Sequence, residues 1–293
     1  MNANGWMIIG DRINPGFKAT RALVESGDLA GLQALAVRQV KAGAGALDFT
    51  LGPDARSKPE FLVQVIRAVQ DAVDVPLCFD YPEVQTQEIC LKAYDPAKAG
   101  GAKPIINSIA ETRWEMVELL KIQPCKVLLM ASERLEDGIG RQNRTGQEIA
   151  GTAKRAALRL AKEHGLCLDD VIIDVSISAI IADTAGLNRA ALEAIGSIGS
   201  DPQLKGIHMS GGISNIAQLL PAKAADGSDL KEQVECAFLT VARPLGMDTV
   251  LGTPWHHFHT LPEDNYVLGV FKEILQLSGT DVMRAVRRLY RKS

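Results

Sequence analysis

Short apolar segments alternate with longer helical segments along this chain, and this alternation constrains the fold more than any other feature. Continuous apolar character, typical of parallel strands covered on both faces, marks residues 6–9, 46–49, 77–79, 104–107, 126–131, 171–174, 206–209 and 249–252. Helical periodicity marks residues 29–42, 60–72, 84–94, 113–121, 145–164, 189–195, 229–245 and 265–277. Eight such units predict an α/β fold, a single (β/α)8 TIM barrel that spans residues 1–293.

The main alternative is a doubly wound open sheet, which usually needs fewer units and a glycine-rich first turn. The segment GDRIN over residues 10–14 does not supply that turn. Two segments are extra to the barrel pattern. Residues 16–26 predict a flap or short helix over the barrel mouth, and residues 280–292 predict a basic C-terminal helix with a solvated face.

Composition excludes several classes of function. A net charge of −3 gives no sign of binding to nucleic acid or to an anionic membrane surface. No apolar run is long enough to span a bilayer, and the first residues lack a secretion signal. The five cysteines are scattered without a CxxC pair, so we expect reduced thiols in a cytoplasmic protein and no bound metal.

Polar residues stand at the C-terminal ends of six predicted strands. They are Asp11, Arg12 and Asn14, then Asp48, Asp80, Asn107 with Ser108, Asp174, and Ser214 with Asn215. Any one of them suits a helix cap, but barrel strands end on one face, and burying several carboxylates there is costly unless they are paired or used. Carboxylates and amides without clustered Arg and Lys suit a neutral flat heterocycle with ring N–H and amino donors, such as a pterin.

The segment HMSGGISNIAQ over residues 208–218 is the strongest single indication of a site. Gly211 and Gly212 let the backbone approach a ligand closely, and the polar side chains that follow offer donors and acceptors. The alternative interpretation is an ordinary strand-to-helix turn with a capping Ser or Asn.

Six blocks together resemble the pterin-binding methyltransferases. They are MIIGDRIN (7–14), ALDFTLG (46–52), CFD (78–80), IINS (105–108), IID (172–174) and GISN (212–215). This family comprises the methyltetrahydrofolate:corrinoid protein methyltransferases, the folate module of cobalamin-dependent methionine synthase and methyltransferase II of corrinoid demethylase systems. The blocks occur in the family's order over nearly the whole chain.

The resemblance implies an enzyme that moves methyl between N5 of tetrahydrofolate and the cobalt of a corrinoid (cobalamin). Tetrahydrofolate or 5-methyltetrahydrofolate would be the substrate, and the direction stays open, although transfer from methylcorrinoid to tetrahydrofolate fits a demethylase system. The Asp-x-His-x-x-Gly pattern for a lower cobalt ligand is absent, so a partner protein would supply the corrinoid. The family also implies a homodimer.

The resemblance assigns roles to particular residues. Asp80, Asn107 and Asp174 match positions that hold the pterin ring. Asn215 matches the amide near N5, and the remaining folate contacts it implies are Asn14, Gly212, Ser214, Gln218 and Lys223. Lys223 stands where relatives often have Arg, and Asp11 where they commonly have Glu. Asp48 and Asp80 are the candidates to exchange a proton with N5 through water, provided that burial raises their pKa.

Other functions remain open. A dihydropteroate synthase-like enzyme would share the barrel and the pterin, but its Asn-x-Thr-x-Asp-Ser-Phe start and Ser-Arg-Lys cluster are missing. The scattered cysteines oppose a zinc-dependent, thiol-alkylating barrel, and a folate-binding protein without turnover is a further alternative. His256, His257 and His259 follow the last strand and have no fixed role. Residues 138–140 predict a mobile loop, and residues 183–188 a loop over the mouth.

Overall fold

A computed structural model of the chain describes residues 5–291. Eight parallel strands form one sheet in the order β8-β1-β2-β3-β4-β5-β6-β7. They are β1 (Met7–Ile13), β2 (Ala46–Phe49), β3 (Leu77–Asp80), β4 (Ile105–Ile109), β5 (Lys126–Met130), β6 (Val171–Asp174), β7 (His208–Ser210) and β8 (Thr249–Gly252). The predicted TIM barrel is confirmed.

The barrel closes unevenly around its circumference. Strand β8 pairs with β1 over four successive positions, from Met7 opposite Thr249 to Gly10 opposite Gly252. Strands β7 and β8, in contrast, meet through one isolated parallel bridge between Gly212 and Leu251. The seam between β7 and β8 is therefore the most weakly bonded joint of the wall.

Helices cover the outside of the barrel. They are α1 (Lys18–Ser26), α2 (Leu29–Lys41), α3 (Pro59–Ala72), α4 (Val84–Ala93), α5 (Gly146–His164), α6 (Leu187–Gly199), α7 (Leu230–Ala242), α8 (Tyr266–Ile274) and α9 (Thr280–Arg288). The helix expected over 113–121 is instead a 3-10 helix over Glu111–Lys121, interrupted by non-helical backbone at Arg113. None of the helices within residues 5–291 combines the length and apolar character that crossing a membrane requires.

A β-hairpin replaces the loop expected at residues 138–140. Its antiparallel strands are Glu133–Glu136 and Ile139–Gln142. Asp137 and Gly138 have φ values of 52° and 78°, the left-handed conformations that a two-residue hairpin turn requires. The prediction of a mobile loop was wrong because the Asp-Gly turn signal was overlooked in a polar, exposed segment.

Residues 183–188 and helix α9 both have structural roles. The carboxylate of Asp183 accepts hydrogen bonds from the backbone N–H groups of Leu187 and Asn188, and so holds the start of α6. Helix α9 buries Val282 and Val286 against the barrel while its arginines face outward. The predicted end of that helix at Lys292 lies outside the described residues.

The barrel interior contains an apolar layer built from one inward-facing residue of each of six strands. This layer consists of Ile9, Ala46, Cys78, Ile105, Leu128 and Ile172. All six are nearly or fully buried, so the interior is packed rather than open.

Candidate functional site

A polar layer lies directly above the apolar layer of the barrel. Side chains two positions apart on a strand point to the same face, so the residue two positions after each inward apolar residue also faces the interior. These residues are Asp11 after Ile9, Asp48 after Ala46, Asp80 after Cys78, Asn107 after Ile105, Met130 after Leu128 and Asp174 after Ile172. The alternation of the strands thus gathers four carboxylates and one amide at the barrel mouth.

The polar layer opens into a cavity of about 580 Å³ at the ends of β1, β2, β3, β7 and β8. The predicted site residues that line it are Asn14, Asp48, Asp80, Gly212, Ser214, Asn215 and Gln218. The cavity is also lined by residues for which the sequence indicates no role, among them Arg12, Lys231, Glu235, Thr253 and His256. The structure therefore brings most of the predicted residues together.

Asp48 and Asp80 form the acidic floor of the cavity. Asp48 is almost fully buried and accepts a hydrogen bond from Asn107 Nδ2 at 3.2 Å. Burial and the nearby charge of Asp80 raise the pKa of Asp48 well above its usual range. Burial also raises the pKa of Asp80, an effect that the Arg113 charge partly offsets. Both groups are therefore better proton acceptors than ordinary aspartates.

Asn107 and Asp174 belong to the same layer but lie beside the cavity, on β4 and β6. Asn107 is adjacent to Asp80 in the β3–β4 register. Burial raises the pKa of Asp174 to about 6, although its Oδ1 accepts a hydrogen bond from the Ser176 N–H at 2.7 Å. Near neutral pH this carboxyl group can therefore either accept or donate a proton.

Asp11 connects three strand ends. Its Oδ2 accepts from Ser214 Oγ at 2.7 Å, and its Oδ1 accepts from Thr253 Oγ1 at 3.0 Å. Burial raises the pKa of Asp11, and these two hydrogen bonds lower it in part. Asp11 and Ser214 therefore form a structural pair at the edge of the cavity.

Asn215 projects into the cavity from the 3-10 turn Ile213–Asn215 that follows β7. Its side-chain Oδ1 accepts a hydrogen bond from Gln218 Nε2 at 2.7 Å, which fixes the orientation of the amide. A Cβ atom at Gly211 would lie 2.7 Å from Ile177 Cδ1, so this backbone passes too close to the segment after β6 for a larger residue. The glycine thus places the Asn215 turn.

Two predicted folate contacts have different surroundings. Asn14 lines the cavity, and its Oδ1 accepts from the Gly16 N–H at 2.8 Å in a local turn. Lys223 is exposed, its backbone pairs with Asp229, and it is not among the residues that line the cavity. The lysine at the cavity is Lys231, in the first turn of α7.

The buried Glu235 and the partly buried His256 form a pair that was not predicted from the sequence. His256 Nδ1 donates to Glu235 Oε2 at 2.6 Å, and Glu235 is 1% exposed. Burial raises the pKa of Glu235, and the hydrogen bond from His256 opposes this shift. The signal available in the sequence was a lone carboxylate within the otherwise apolar run Val234–Leu239 of α7.

The other two histidines of this region point away from the floor. His257 is exposed, and His259 Nδ1 donates to the His257 carbonyl at 2.7 Å. Among residues 5–291 no group of three His, Cys, Asp or Glu side chains has an arrangement that could hold a metal ion.

Comparison with known proteins gives a family and a fold. A family profile described as "Pterin binding enzyme" matches residues 20–251. The methylcorrinoid:tetrahydrofolate methyltransferase of Eubacterium limosum is 27% identical over 254 residues, which cover 85% of both chains. Dihydropteroate synthase from Thermus thermophilus superposes with a TM-score of 0.58 at 18% identity, over 93% of this chain and 96% of the other. The Xanthomonas albilineans enzyme does so with a TM-score of 0.57 at 15% identity, over 98% and 95%. At such identities the structural likeness shows the barrel fold alone.

Proposed function

Because this chain belongs to the family of pterin-binding enzymes, we propose that it is a methyltransferase acting between tetrahydrofolate and a corrinoid. It moves methyl between N5 of tetrahydrofolate and the cobalt of a corrinoid bound to a separate protein. The observation on which this proposal rests is the position of Asn215, whose oriented amide lines the same cavity as the acidic floor of Asp48 and Asp80. The name of the Eubacterium limosum relative supports transfer from methylcorrinoid to tetrahydrofolate, and we propose that direction.

The pterin ring is bound by acceptors of the polar layer. The carboxylates of Asp80 and Asp174 accept hydrogen bonds from N3–H and the 2-amino group, and a carboxylate can take both in a bidentate pair. Asn107, which already donates to Asp48, offers its carbonyl oxygen to the same edge. The polar layer thus supplies hydrogen-bond acceptors for a neutral ring, and binding of the ring needs no cationic side chain.

Asn215 stabilises the charge that develops on N5. In the proposed direction the N5 lone pair forms a bond to the methyl carbon, and the cobalt–carbon electron pair leaves with the corrinoid. N5 then holds both hydrogen and methyl and is positively charged. Asn215 Oδ1 has a second lone pair beyond the one that accepts from Gln218, and it accepts from the N5–H.

The N5 proton must then be removed. Asp48 and Asp80 line the cavity, and burial makes both better proton acceptors. We assign to them the transfer of this proton through water. In the opposite direction the same groups return the proton to N5, which makes the tertiary amine a better leaving group.

The test uses free methylcobalamin as the probe for the corrinoid. The purified chain is mixed with tetrahydrofolate and methylcobalamin without oxygen, and 5-methyltetrahydrofolate is quantified by chromatography. We expect product at a rate proportional to enzyme concentration, and a higher rate when a corrinoid protein replaces the free cofactor. Binding of tetrahydrofolate with no transfer to or from either corrinoid would identify a folate-binding protein instead. Formation of dihydropteroate from dihydropterin pyrophosphate and 4-aminobenzoate would identify a dihydropteroate synthase.

We also propose that the chain forms a homodimer. Light scattering of the purified protein should give about twice the chain mass, and a monomer at the concentrations used in the assay would contradict this part alone.

A further inference from the structure

Two cationic side chains of the cavity form no hydrogen bond or ion pair with the described residues. The guanidinium of Arg12 lines the cavity without a hydrogen bond or ion pair, and its buried Nε atom is unsatisfied. Lys231 lines the same cavity, is exposed, and forms no ion pair within residues 5–291. Buried donors are normally satisfied in a folded protein, so an unsatisfied guanidinium facing a cavity points to a ligand.

Aromatic rings hold Arg12 in place. The Arg12 guanidinium carbon lies 3.6 Å from the centroid of the Phe17 ring and 5.4 Å from that of Trp255. Arg38 also contacts Trp255, with its guanidinium carbon 3.9 Å from the ring centroid. Stacking fixes the plane of the guanidinium but uses none of its N–H donors. Arg12 is therefore oriented in advance of any ligand.

The carboxylates at this side of the cavity are already engaged. Both oxygens of Asp11 accept from hydroxyl groups, and Glu235 accepts from His256. The unengaged donors of Arg12 and Lys231 thus remain available to an anion from outside. The cavity is acidic at its floor and cationic at its edge.

We propose that Arg12 and Lys231 form a carboxylate-binding site for the glutamyl tail of folate. This inference rests on the proposed function, because it takes tetrahydrofolate as the ligand. The tail is attached at C6, the ring atom next to N5, so a ring whose N5 faces Asn215 directs its tail into the cavity that Asn215 shares with both cations. The glutamyl group has two carboxylates, and a guanidinium binds a carboxylate through two parallel N–H bonds.

The experiment compares two ligands in four proteins. Isothermal titration measures the dissociation constants of tetrahydrofolate and of 6-methyltetrahydropterin, which has the ring but no tail. The proteins are the wild type, Arg12→Gln, Lys231→Gln and the matched control Arg38→Gln. Arg38 contacts the Trp255 ring and does not line the cavity.

We expect Arg12→Gln to weaken the binding of tetrahydrofolate about tenfold, which corresponds to about 1.4 kcal/mol. Lys231→Gln should weaken this binding about threefold. The affinity for 6-methyltetrahydropterin should stay within about twofold of the wild type in every variant, since the tail alone meets these cations. Arg38→Gln should behave as the wild type with both ligands, and Arg12→Lys should recover part of the loss.

Three results would overturn the inference. The first is unchanged tetrahydrofolate affinity in both Arg12→Gln and Lys231→Gln. The second is an equal loss for both ligands, which would mean that the residues shape the ring site. The third is unchanged folate affinity with a raised KM for a corrinoid protein, which would mean that the cations bind the partner. Failure of the wild type to bind either ligand would instead contradict the proposed function.

Discussion

Ser214 Oγ lies 2.7 Å from Asp11 Oδ2, and this hydrogen bond joins β1 to the turn that follows β7. Thr253, just beyond β8, donates to the other carboxylate oxygen at 3.0 Å. One buried carboxylate thus connects the chain on both sides of the seam where β7 and β8 share only one backbone bridge.

Ser214→Ala should lower the free energy of unfolding by about 2 kcal/mol, because it removes a hydrogen bond to a buried charged group. Chemical denaturation measures this change. Ser57→Ala is the control, since Ser57 is exposed and distant from the cavity, and it should stay within about 0.5 kcal/mol of the wild type. Equal changes in the free energy of unfolding for the two variants would show that the Asp11–Ser214 hydrogen bond does not stabilise the fold.

Asn215→Ala should lower kcat for methyl transfer about 100-fold or more, as expected when one donor or acceptor at a reacting centre is lost. The dissociation constant of tetrahydrofolate should change much less, because the ring is bound mainly by Asp80, Asn107 and Asp174. Gln203→Ala, at an exposed position before β7, is the control. Unchanged kcat and unchanged folate affinity in Asn215→Ala would exclude the role given to this amide.

His208 should make stability depend on pH. Its Nδ1 donates to Asp248 Oδ2 at 2.6 Å, and this hydrogen bond raises the pKa of His208 above 6.5 despite partial burial. Since the pKa is higher in the folded than in the unfolded chain, the stabilisation is complete below the unfolded pKa and disappears as pH rises through the folded pKa.

His208→Gln should therefore lower the free energy of unfolding more at about pH 6 than at about pH 9. Denaturation curves at a series of pH values measure the difference between variant and wild type. The exposed His257 provides the control, since His257→Gln should give a small difference at every pH. A constant effect of His208→Gln over this range would contradict the assignment.

Gly252→Ala should destabilise the protein by about 1–3 kcal/mol through overpacking. A Cβ atom there would lie 2.5 Å from Ile213 Cγ2 and 3.0 Å from Phe258 Cζ, and both side chains are fully buried. Gly269→Ala in α8 is the matched control because no atom lies within 4 Å of its added Cβ, and in a helix it should stabilise by roughly 0.5–1 kcal/mol. Thermal unfolding should show shifts of opposite sign.

The barrel was predictable because buried parallel strands are continuously apolar and end in polar residues at one level. Side chains two positions apart on a strand face the same way, so Asp11 points into the barrel as Ile9 does. Strand β1 therefore extends further than its apolar start suggests. The resemblance to the pterin-binding family is confirmed by the match over residues 20–251. The hairpin was missed because its strands are polar and exposed, without the alternation that marks a half-buried sheet.

The site was predictable only where its residues lie at the end of a strand or in the turn that follows it. Asp48, Asp80 and Asn215 are of this kind, and the structure places all three at one cavity. Glu235 and Lys231 reach that cavity from α7, and a helix gives no sequence signal of which residue points over the barrel mouth. Lys223 lies near Lys231 in sequence, but it is exposed and does not line the cavity.

The single bridge between Gly212 and Leu251 affects how one cavity can admit two reactants of very different size. Displacing the Asn215 turn outward from β8 breaks one long backbone contact, Leu251 N–H to Gly211 O at 3.4 Å, together with the Ser214–Asp11 hydrogen bond, and leaves the ladder between β6 and β7 intact. Side-chain contacts, above all the Ser214–Asp11 hydrogen bond, therefore hold this part of the wall in place of a strand ladder. A bulky macrocycle presented by another protein would meet there the joint of the barrel with the fewest backbone hydrogen bonds.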